Sequence, residues 1–344
     1  MSREFTVGLS HDFVSAGGAT SWGDIGLDEL TAAGVRWEFL SPDTGELDPG
    51  AVDGYDAVLF SAPAVTARSV SGFQPPLLLA RFGVGLDEVD LDACSRAGVA
   101  VTITPDGARR AVATAALALI LAVSHNLTGK DRLARTGGWN ERLNLLGRGI
   151  TGRKVGVFGL GNIAAELFTL LAPFGTINLA TDPLKSPQDA AALNVGLVPL
   201  PELMRTCDIV VITAALTEQT RGAINAEMLA LLARDAVLVN VSRGPIVDTD
   251  ALAEALRTGR LRAAGLDVTE PEPLEHDHPL LSLPNVTLTA HSLAWTDEMA
   301  IGNGRSAIRA ILDVRAGRAP TYLANPGVLM HERLRRFITT EAVS

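Results

Sequence analysis

The first part of the chain alternates short apolar runs with segments of helical composition. The apolar runs carry β-branched and aromatic side chains, which favours strands, and Gly34 and Gly98 fall where the intervening helices should end. The runs are FTVGLS, WEFL, YDAVLFS, PPLLLARFG and VAVTIT. This alternation is typical of βαβ units and predicts a small sheet of parallel strands.

A second series of the same kind begins at Arg153. It contains KVGVFG, TINLATDP, DIVVIT, AVLVNVS, AAGLDV and NVTLTA, with helical segments between most of them. Such a series predicts a doubly wound parallel sheet. The fold class that we expect is therefore α/β, with two Rossmann- or flavodoxin-like domains.

Two long helices flank the second series. One is predicted from Asp106 to about Arg135, and the other from about Thr296 to Arg315. The first is apolar over too wide a face for a surface helix, so it must be covered by another domain, a second copy or its own core; we favour a dimer contact. The basic tail after the last helix, MHERLRRF, is interpreted as a solvated end.

Composition limits the classes of partner. The chain has 344 residues and a net charge of −10, which suits two domains and argues against a nucleic-acid or anionic-membrane partner. Its most apolar run, residues 111–123, is shorter than the roughly 20 residues that span a bilayer. The N-terminus has no signal-like apolar region, and Cys94 and Cys207 lack disulfide or zinc spacing. We therefore expect a cytoplasmic location.

A glycine fingerprint lies between a predicted strand and helix, in VGVFGLGNIAAELF. Gly159 permits a tight turn, and Gly161 lets the backbone approach a pyrophosphate. The phosphates would lie on the amides at the helix N-terminus, at Asn162 and Ile163. Asp182, which ends the next strand, is placed to bind the adenosine ribose, and its negative charge favours NAD over NADP. The alternative for Asp182 is a turn residue before the following proline.

Several motifs, in order along the chain, resemble those of the D-isomer-specific 2-hydroxyacid dehydrogenases. They are RFGVGLDEVDLDACSRAGVAVT, TGRKVGVFGLGNIA, LTEQTRGAIN, AVLVNVSRGPIVDTDAL and the stretch from GLDVTEPEP to TAHSLAWTDE. The resemblance covers most of the chain. It implies a discontinuous substrate domain made of residues 1–105 and 296–344, clamped on an inserted NAD-binding domain of residues 106–295, and a homodimer.

The resemblance also implies roles for residues of the second domain. Arg243, in NVSRG, would meet the carboxylate and oxo group of the substrate, which suits the planar fork of a guanidinium. Thr213, Val241 and Asp267 would lie beside the cofactor. Thr213 stands where relatives frequently carry a histidine.

The general acid for reducing a 2-oxo acid at neutral pH is naturally an imidazole. His276 and His278 lie in LEHDHPL, which is typical of a surface loop, whereas His291 follows the apolar strand NVTLTA. Ligands bind open α/β sheets at the carboxyl ends of strands, so position favours His291. Glu275 and Asp277 beside the two loop histidines have the composition of a metal site, but we interpret them as solvated and expect no metal.

A carboxylate that orients the histidine would favour its charged form. Glu270, Glu272 and Glu275 compete for this role. The family spacing D-V-x-x-x-E-P, counted from Asp267, selects Glu272 and leaves Glu270 and Glu275 as loop surface. The predicted catalytic set is therefore Arg243, Glu272 and His291.

The loop RFGVGLD resembles the family loop whose amides hold the substrate carboxylate, here around Val84 and Gly85. Arg81 could hold an anionic tail or pair with Asp87. Both interpretations stay open from the sequence.

Three further side chains bear on the substrate. Arg109 and Arg110 open the long helix, where cations oppose the helix dipole, so they indicate either a bound anion or simple solvent exposure. Trp295 could be a wall at the pocket mouth or an interdomain contact. The cations favour a 2-oxo acid with a second negative group, such as a carboxylate, phosphate or phosphonate.

The resulting hypothesis is an NAD-dependent dehydrogenase of small 2-hydroxy acids, reducing 2-oxo acids in the reverse direction. The main alternative is a non-catalytic, NAD-responsive binding protein on the same fold. A different Rossmann-fold enzyme, such as a methyltransferase, is disfavoured by the run of dehydrogenase motifs.

Overall fold

The computed structural model describes residues 4–17 and 20–338. The chain divides into two compact units, one formed by the residues up to Ala108 and from Trp295 onward, the other by Arg109–Ala294. The sequence prediction of a substrate domain and an NAD-binding domain divided at 105/106 and 295/296 stays a prediction. The outermost parts of the predicted substrate domain, residues 1–3 and 339–344, lie outside the described residues.

The first unit contains a parallel sheet in the order β2-β1-β3-β4-β5. Its strands are β1 (Thr6–Leu9), β2 (Arg36–Phe39), β3 (Ala57–Phe60), β4 (Leu78–Arg81) and β5 (Ala100–Thr102). This is the flavodoxin-like order, in which the direction of winding reverses between β1 and β3. All four side chains of β3 are buried, as expected where helices cover both faces of a parallel sheet.

The second unit contains a longer parallel sheet in the order β12-β11-β10-β9-β6-β7-β8. Its strands are β6 (Lys154–Phe158), β7 (Ile177–Thr181), β8 (Gly196–Leu197), β9 (Ile209–Ile212), β10 (Val237–Asn240), β11 (Ala263–Leu266) and β12 (Val286–Leu288). The order is that of a dinucleotide-binding sheet extended by β12, with the reversal between β6 and β9. The predicted α/β class with doubly wound parallel sheets is confirmed.

The α-helices connect the strands. They are α1 (Leu27–Ala32), α2 (Pro49–Val52), α3 (Leu91–Arg96), α4 (Pro105–His125), α5 (Leu127–Arg135), α6 (Asn162–Leu171), α7 (Pro187–Ala191), α8 (Leu200–Thr206), α9 (Ala226–Leu231), α10 (Thr249–Arg257), α11 (Asp297–Arg315) and α12 (Glu332–Arg335). Gly34 and Gly98 follow α1 and α3 with φ of 71° and 67°, the left-handed conformation of a helix stop.

The prediction of one helix from Asp106 to Arg135 is wrong. Asn126 adopts a left-handed conformation with φ of 59°, which ends α4 and lets α5 begin in a new direction. Asparagine tolerates this conformation better than most residues. The helix can therefore break at Asn126 without a change in the hydrophobic pattern.

The apolar face of α4 is covered by the core of the second unit. Leu119, Ile120 and Val123 pack in one buried cluster with Val155 and Val157 of β6. The favoured interpretation of this helix as a dimer contact is therefore not needed to explain its burial. Among the described helices only α4 is long and apolar enough to cross a membrane, and more than half of its apolar window is buried, which is typical of a core helix.

The basic tail is not a solvated end, contrary to the sequence interpretation. The guanidinium of Arg333 donates to the carbonyls of Pro75, Pro76 and Gly98, which precede β4 and β5. Leu334 is fully buried, and burial lowers the pKa of Arg333. The tail therefore fastens the amino ends of two strands of the first sheet.

Candidate active site

The glycine loop lies where the winding of the second sheet reverses, between the ends of β6 and β9. Gly159 has a φ of 96°, and a Cβ there would lie 2.5 Å from Cα of Ala214, so glycine is required on both counts. A Cβ on Gly161 would meet only open space. Gly161 also caps α6 without a side-chain acceptor, which leaves the amides of Asn162 and Ile163 to an anion. This geometry fits a dinucleotide pyrophosphate.

Asp182 follows β7 and faces the glycine loop. Its Oδ2 accepts a hydrogen bond of 2.8 Å from the amide of Leu160, and its Oδ1 accepts one of 2.8 Å from the amide of Leu184. Asp182 therefore serves as a turn residue that also stands beside the glycine loop, and its contact with an adenosine ribose stays a prediction.

Thr213 and Val241 end the neighbouring strands β9 and β10. The hydroxyl of Thr213 donates to the carbonyl of Gly159 at 2.7 Å, which ties β9 to the glycine loop. Val241 is buried in the core of the unit. Both residues thus shape the carboxyl edge of the sheet.

Asp267 organises the loop that carries His291. Its buried carboxylate Oδ1 accepts from the hydroxyl of Thr289 at 2.6 Å and from the amides of Ser292 and Leu293 at 3.1 Å each. Its carbonyl accepts from the amide of His291 at 2.7 Å. The structure therefore places Asp267 as the support of this loop, a role that the sequence did not indicate.

Glu272 and His291 are brought together at the carboxyl edge of β11 and β12. Nδ1 of His291 lies 3.0 Å from Oε2 of Glu272, while Oε1 accepts from the amide of Thr269 at 3.0 Å. A carboxylate only accepts, so Nδ1 carries the proton and Nε2 is turned to other partners. His291 has a φ of 50°, a left-handed backbone that aims its ring out of the strand direction. Glu270 takes no part in this contact.

The pKa of Glu272 is lowered from its ordinary value. Partial burial raises it, but the hydrogen bonds from His291 and the Thr269 amide, together with the charges of His291 and Arg243, outweigh the burial. Glu272 is therefore an ionised partner for the imidazole throughout the neutral pH range.

Arg243 lies on a loop that is packed tightly against the Glu272 loop. Asn240, which ends β10 and is buried, accepts from the amide of Ser242 at 3.0 Å and donates to the carbonyl of Arg243 at 2.9 Å. A Cβ on Gly244 would lie only 1.8 Å from the carbonyl oxygen of Thr269. Glycine at 244 therefore allows the close approach that brings Arg243 beside the carboxylate.

In the first unit, Arg81 ends β4 and is followed by the loop with Val84 and Gly85. Its Nε donates to the carbonyl of Gly85 at 3.2 Å, and its guanidinium stands 5.4 Å from the ring centroid of Phe60. These contacts hold the loop at the carboxyl edge of its sheet. The sequence predicts that the substrate carboxylate binds to this loop.

Arg109 and Arg110 have a partner that the sequence interpretation did not consider. Both arginines form ion pairs with Glu166 of α6, with 3.7 Å between Nε of Arg109 and Oε2 of Glu166 and a shorter contact from Arg110. The two guanidiniums are about half exposed. Their presence at the start of α4 is thus explained without a bound anion.

Trp295 is 59% exposed and packs edge-to-face on Trp22, with 4.8 Å between ring centroids. Trp22 in turn packs on Phe82, the residue after Arg81, at 5.2 Å. Trp22 was missed by the sequence analysis because it lies in a loop without a family motif or a periodic pattern. Only its position in three dimensions links it to the substrate loop.

The loop histidines do not form a metal site among the described residues, where no group of three His, Cys, Asp or Glu side chains could hold a metal ion. His276 is exposed, but His278 is not simple surface, because its Nδ1 accepts from the amide of Leu280 at 3.3 Å and caps a short turn. Its Nε2 lies 3.6 Å from Asp250. The interpretation of His278 as solvated is corrected accordingly.

Comparison with known proteins agrees with this geometry. Residues 117–292 match the family model described as D-isomer specific 2-hydroxyacid dehydrogenase, NAD binding domain. Glyoxylate reductase from Thermococcus onnurineus is 36% identical over 258 residues, covering 73% of this chain and 77% of the relative. D-3-phosphoglycerate dehydrogenase from Mycobacterium bovis is 37% identical over 294 residues, covering 85% of this chain. This chain spans about half of that relative, 55% of its length.

A similar solved structure is that of the TT0316 protein from Thermus thermophilus, with a TM-score of 0.83 and 31% identity over 93% of this chain and 100% of that chain. The glycine loop and the paired carboxylate and imidazole define an NAD-dependent oxidoreductase of the Rossmann type. Within that class, the chain belongs to the family of D-isomer-specific 2-hydroxyacid dehydrogenases.

Proposed function

We propose that the protein interconverts a small 2-oxo acid and its D-2-hydroxy acid, with Arg243, Glu272 and His291 as the reactive set. The observation that carries this proposal is the contact of 3.0 Å between Nδ1 of His291 and Oε2 of Glu272. An ionised carboxylate on one ring nitrogen favours a proton on the other. His291 is thereby equipped to give a proton from Nε2.

Each residue then has one task in the reduction. Arg243 binds the carboxylate and polarises the oxo group with its fixed charge. Bound NADH supplies the hydride that reaches the carbonyl carbon. His291 donates a proton to the carbonyl oxygen as its charge develops, and Glu272 stabilises the imidazolium before this transfer. Oxidation runs the same steps in reverse, with neutral His291 as the base.

We also propose a role for each of the two units. The second unit is proposed as the NAD-binding domain, with Gly159, Gly161, Asn162, Ile163 and Asp182 around the dinucleotide. The first unit is proposed as the substrate domain, with the amides of Val84 and Gly85 holding the substrate carboxylate. NAD is preferred to NADP because the charge of Asp182 would repel a 2′-phosphate beside the glycine loop.

We also propose that the substrate carries a second negative group and that Arg81 binds this group. Arg81 lies next to the proposed carboxylate loop, where its Nε donates to the carbonyl of Gly85. The similarity to a glyoxylate reductase and a D-3-phosphoglycerate dehydrogenase supports short 2-oxo acids as the class to test first.

A homodimer in the cytoplasm is also proposed. In the described part of the chain, α5 and the short turn Trp139–Leu145 contain no buried residue. Together they expose an apolar surface, defined by Leu127, Trp139, Leu143 and Leu146, whose residues are 60%, 65%, 81% and 77% exposed. A surface of this kind favours a protein partner, and a second copy of the chain would cover it symmetrically.

The experiment that tests the function measures NADH and NADPH consumption with glyoxylate, hydroxypyruvate, oxaloacetate, phosphonopyruvate and 2-oxoisocaproate. We expect turnover of short 2-oxo acids with NADH, higher with a second anionic group than with the branched alkyl chain. Preference for 2-oxoisocaproate would refute the second-anion proposal. NADH binding without turnover of any of these acids would instead support a non-catalytic, NAD-responsive protein.

A further inference from the structure

Aromatic side chains from described residues after β1 pack together at the carboxyl edge of the first sheet. Phe13 is fully buried and packs edge-to-face on Phe82, with 5.2 Å between the ring centroids and 85° between the planes. Trp22 lies on Phe82, and Trp295 lies on Trp22. All these separations fall in the range of favourable aromatic pairs. We call Trp22, Phe82 and Trp295 the aromatic wall.

The backbone holds Trp22 in this position. The amide of Ser21 donates to the carbonyl of Phe13 at 2.8 Å, and Val14 and Thr20 form an antiparallel bridge. The carboxylate of Asp12 accepts from the amide of Ala62 at 3.1 Å, which fastens the loop to the end of β3. These bonds fix the backbone of the described residues that directly precede Trp22.

The aromatic wall lies beside the proposed carboxylate loop of its own unit. Phe82 lies between Arg81 and Gly83, directly before the loop at Val84 and Gly85. The first sheet reverses its winding between β1 and β3, so the segment after β1 that carries Trp22 borders the edge where ligands bind such sheets. The wall and the proposed carboxylate site therefore share the carboxyl edge of the first sheet.

We propose that Trp22 limits the size of the substrate by standing, between Phe82 and Trp295, where a long or branched apolar chain of a 2-oxo acid would extend. This inference rests on the proposed function and names Trp22 as the residue that determines which substrates the enzyme accepts. The packed rings occupy the space that a bulky chain would need, so bulky chains are excluded and short acids are accepted. Removing the indole of Trp22 opens space for bulky chains.

The test compares kcat/KM for glyoxylate, 2-oxoisocaproate and phenylpyruvate in the parent protein and in Trp22→Ala. We expect the ratio of kcat/KM for either bulky acid over glyoxylate to rise by about 10-fold or more. Trp295→Ala should change the ratio in the same direction, and it keeps the test open if Trp22→Ala folds poorly. Trp22→Phe, which retains a ring, should restore much of the discrimination.

Trp37→Ala is the matched control. Trp37 is a half-buried tryptophan of the same unit that packs edge-to-face on Phe39 at 5.7 Å, outside the aromatic wall. Its loss should leave the substrate ratio unchanged. A merely structural role of Trp22 would lower kcat/KM for all three acids in proportion, which would overturn the inference. If the parent reduces none of the acids, the proposed function fails and this inference fails with it.

Discussion

At the scale of residues, its contacts with Thr269 and His291 distinguish Glu272 from the neighbouring Glu270. Glu272 accepts from the Thr269 amide with one oxygen and contacts His291 with the other. Its pKa is lowered in the folded protein, although its partial burial acts in the opposite direction. Its contribution to stability is therefore present above the unfolded pKa and is lost as the pH falls through the folded pKa.

Replacing Glu272 by glutamine should remove the charge that favours the imidazolium of His291. We expect kcat for 2-oxo acid reduction to fall by about 10- to 100-fold. Steady-state kinetics at saturating NADH measure this loss in kcat.

Glu270→Gln is the control for this prediction, since Glu270 lies outside the contact with His291. Its kcat should match that of the parent. An inactive Glu270→Gln beside a normal Glu272→Gln would show that the wrong glutamate has been chosen.

At the scale of elements, most strands could be predicted because their apolar, β-branched runs are buried on both faces. The two-residue strand β8 and the break at Asn126 were missed, since neither changes the hydrophobic period. At the site, motif spacing was enough to bring Glu272 and His291 together. The pairing of Arg109 with Glu166 and the stacking of Trp22 were not predictable, because they join segments that are distant in the sequence.

The turn from β6 into α6 gives a prediction for cofactor binding. Gly161→Ala should fold normally, because its Cβ would enter open space and its φ is −92°. The added methyl group should nevertheless obstruct the pyrophosphate, so KM for NADH should rise by about 10-fold or more at unchanged Tm. Gly149→Ala, another glycine with open space around its Cβ, should leave KM unchanged. Equal KM values in both variants would contradict the proposed phosphate site.

The tail that contains α12 gives a prediction for stability. Arg333→Ala removes a partly buried guanidinium that donates to three backbone carbonyls. We expect a loss of about 1–3 kcal/mol in the free energy of unfolding, measured by denaturant titration. Arg336→Ala should cost much less, because its side chain is 72% exposed and pairs only within its own helix turn. A similar loss in both variants would mean that the tail does not fasten the strands.

At the scale of the whole molecule, each unit has a sheet order that places functional loops at one edge. The second sheet reverses at the glycine loop, and the first reverses beside the loop that carries Trp22. The sequence motifs could be assigned to these edges because the carboxyl ends of parallel strands lie together at one edge of a sheet. The state of assembly is a separate property, which depends on the exposed surface.

The proposed homodimer predicts that the apolar surface at Leu143 and Leu146 is covered in solution. Light scattering should give twice the mass of the chain for the parent protein. Leu143→Asp combined with Leu146→Asp should shift the mass toward the monomer, because charges would be buried at the contact. Phe73→Asp, at a 92% exposed phenylalanine elsewhere, should stay dimeric. A monomeric parent would contradict the proposal.

His291 is the residue that we propose to supply the proton when a 2-oxo acid is reduced by NADH. The most direct test measures kcat for glyoxylate and hydroxypyruvate in the parent protein, in His291→Asn and in the control His276→Asn, together with NADH affinity. We predict that His291→Asn loses about 100- to 10,000-fold in kcat while its NADH affinity is retained, and that His276→Asn behaves as the parent. A His291→Asn variant with the full kcat of the parent would contradict the account.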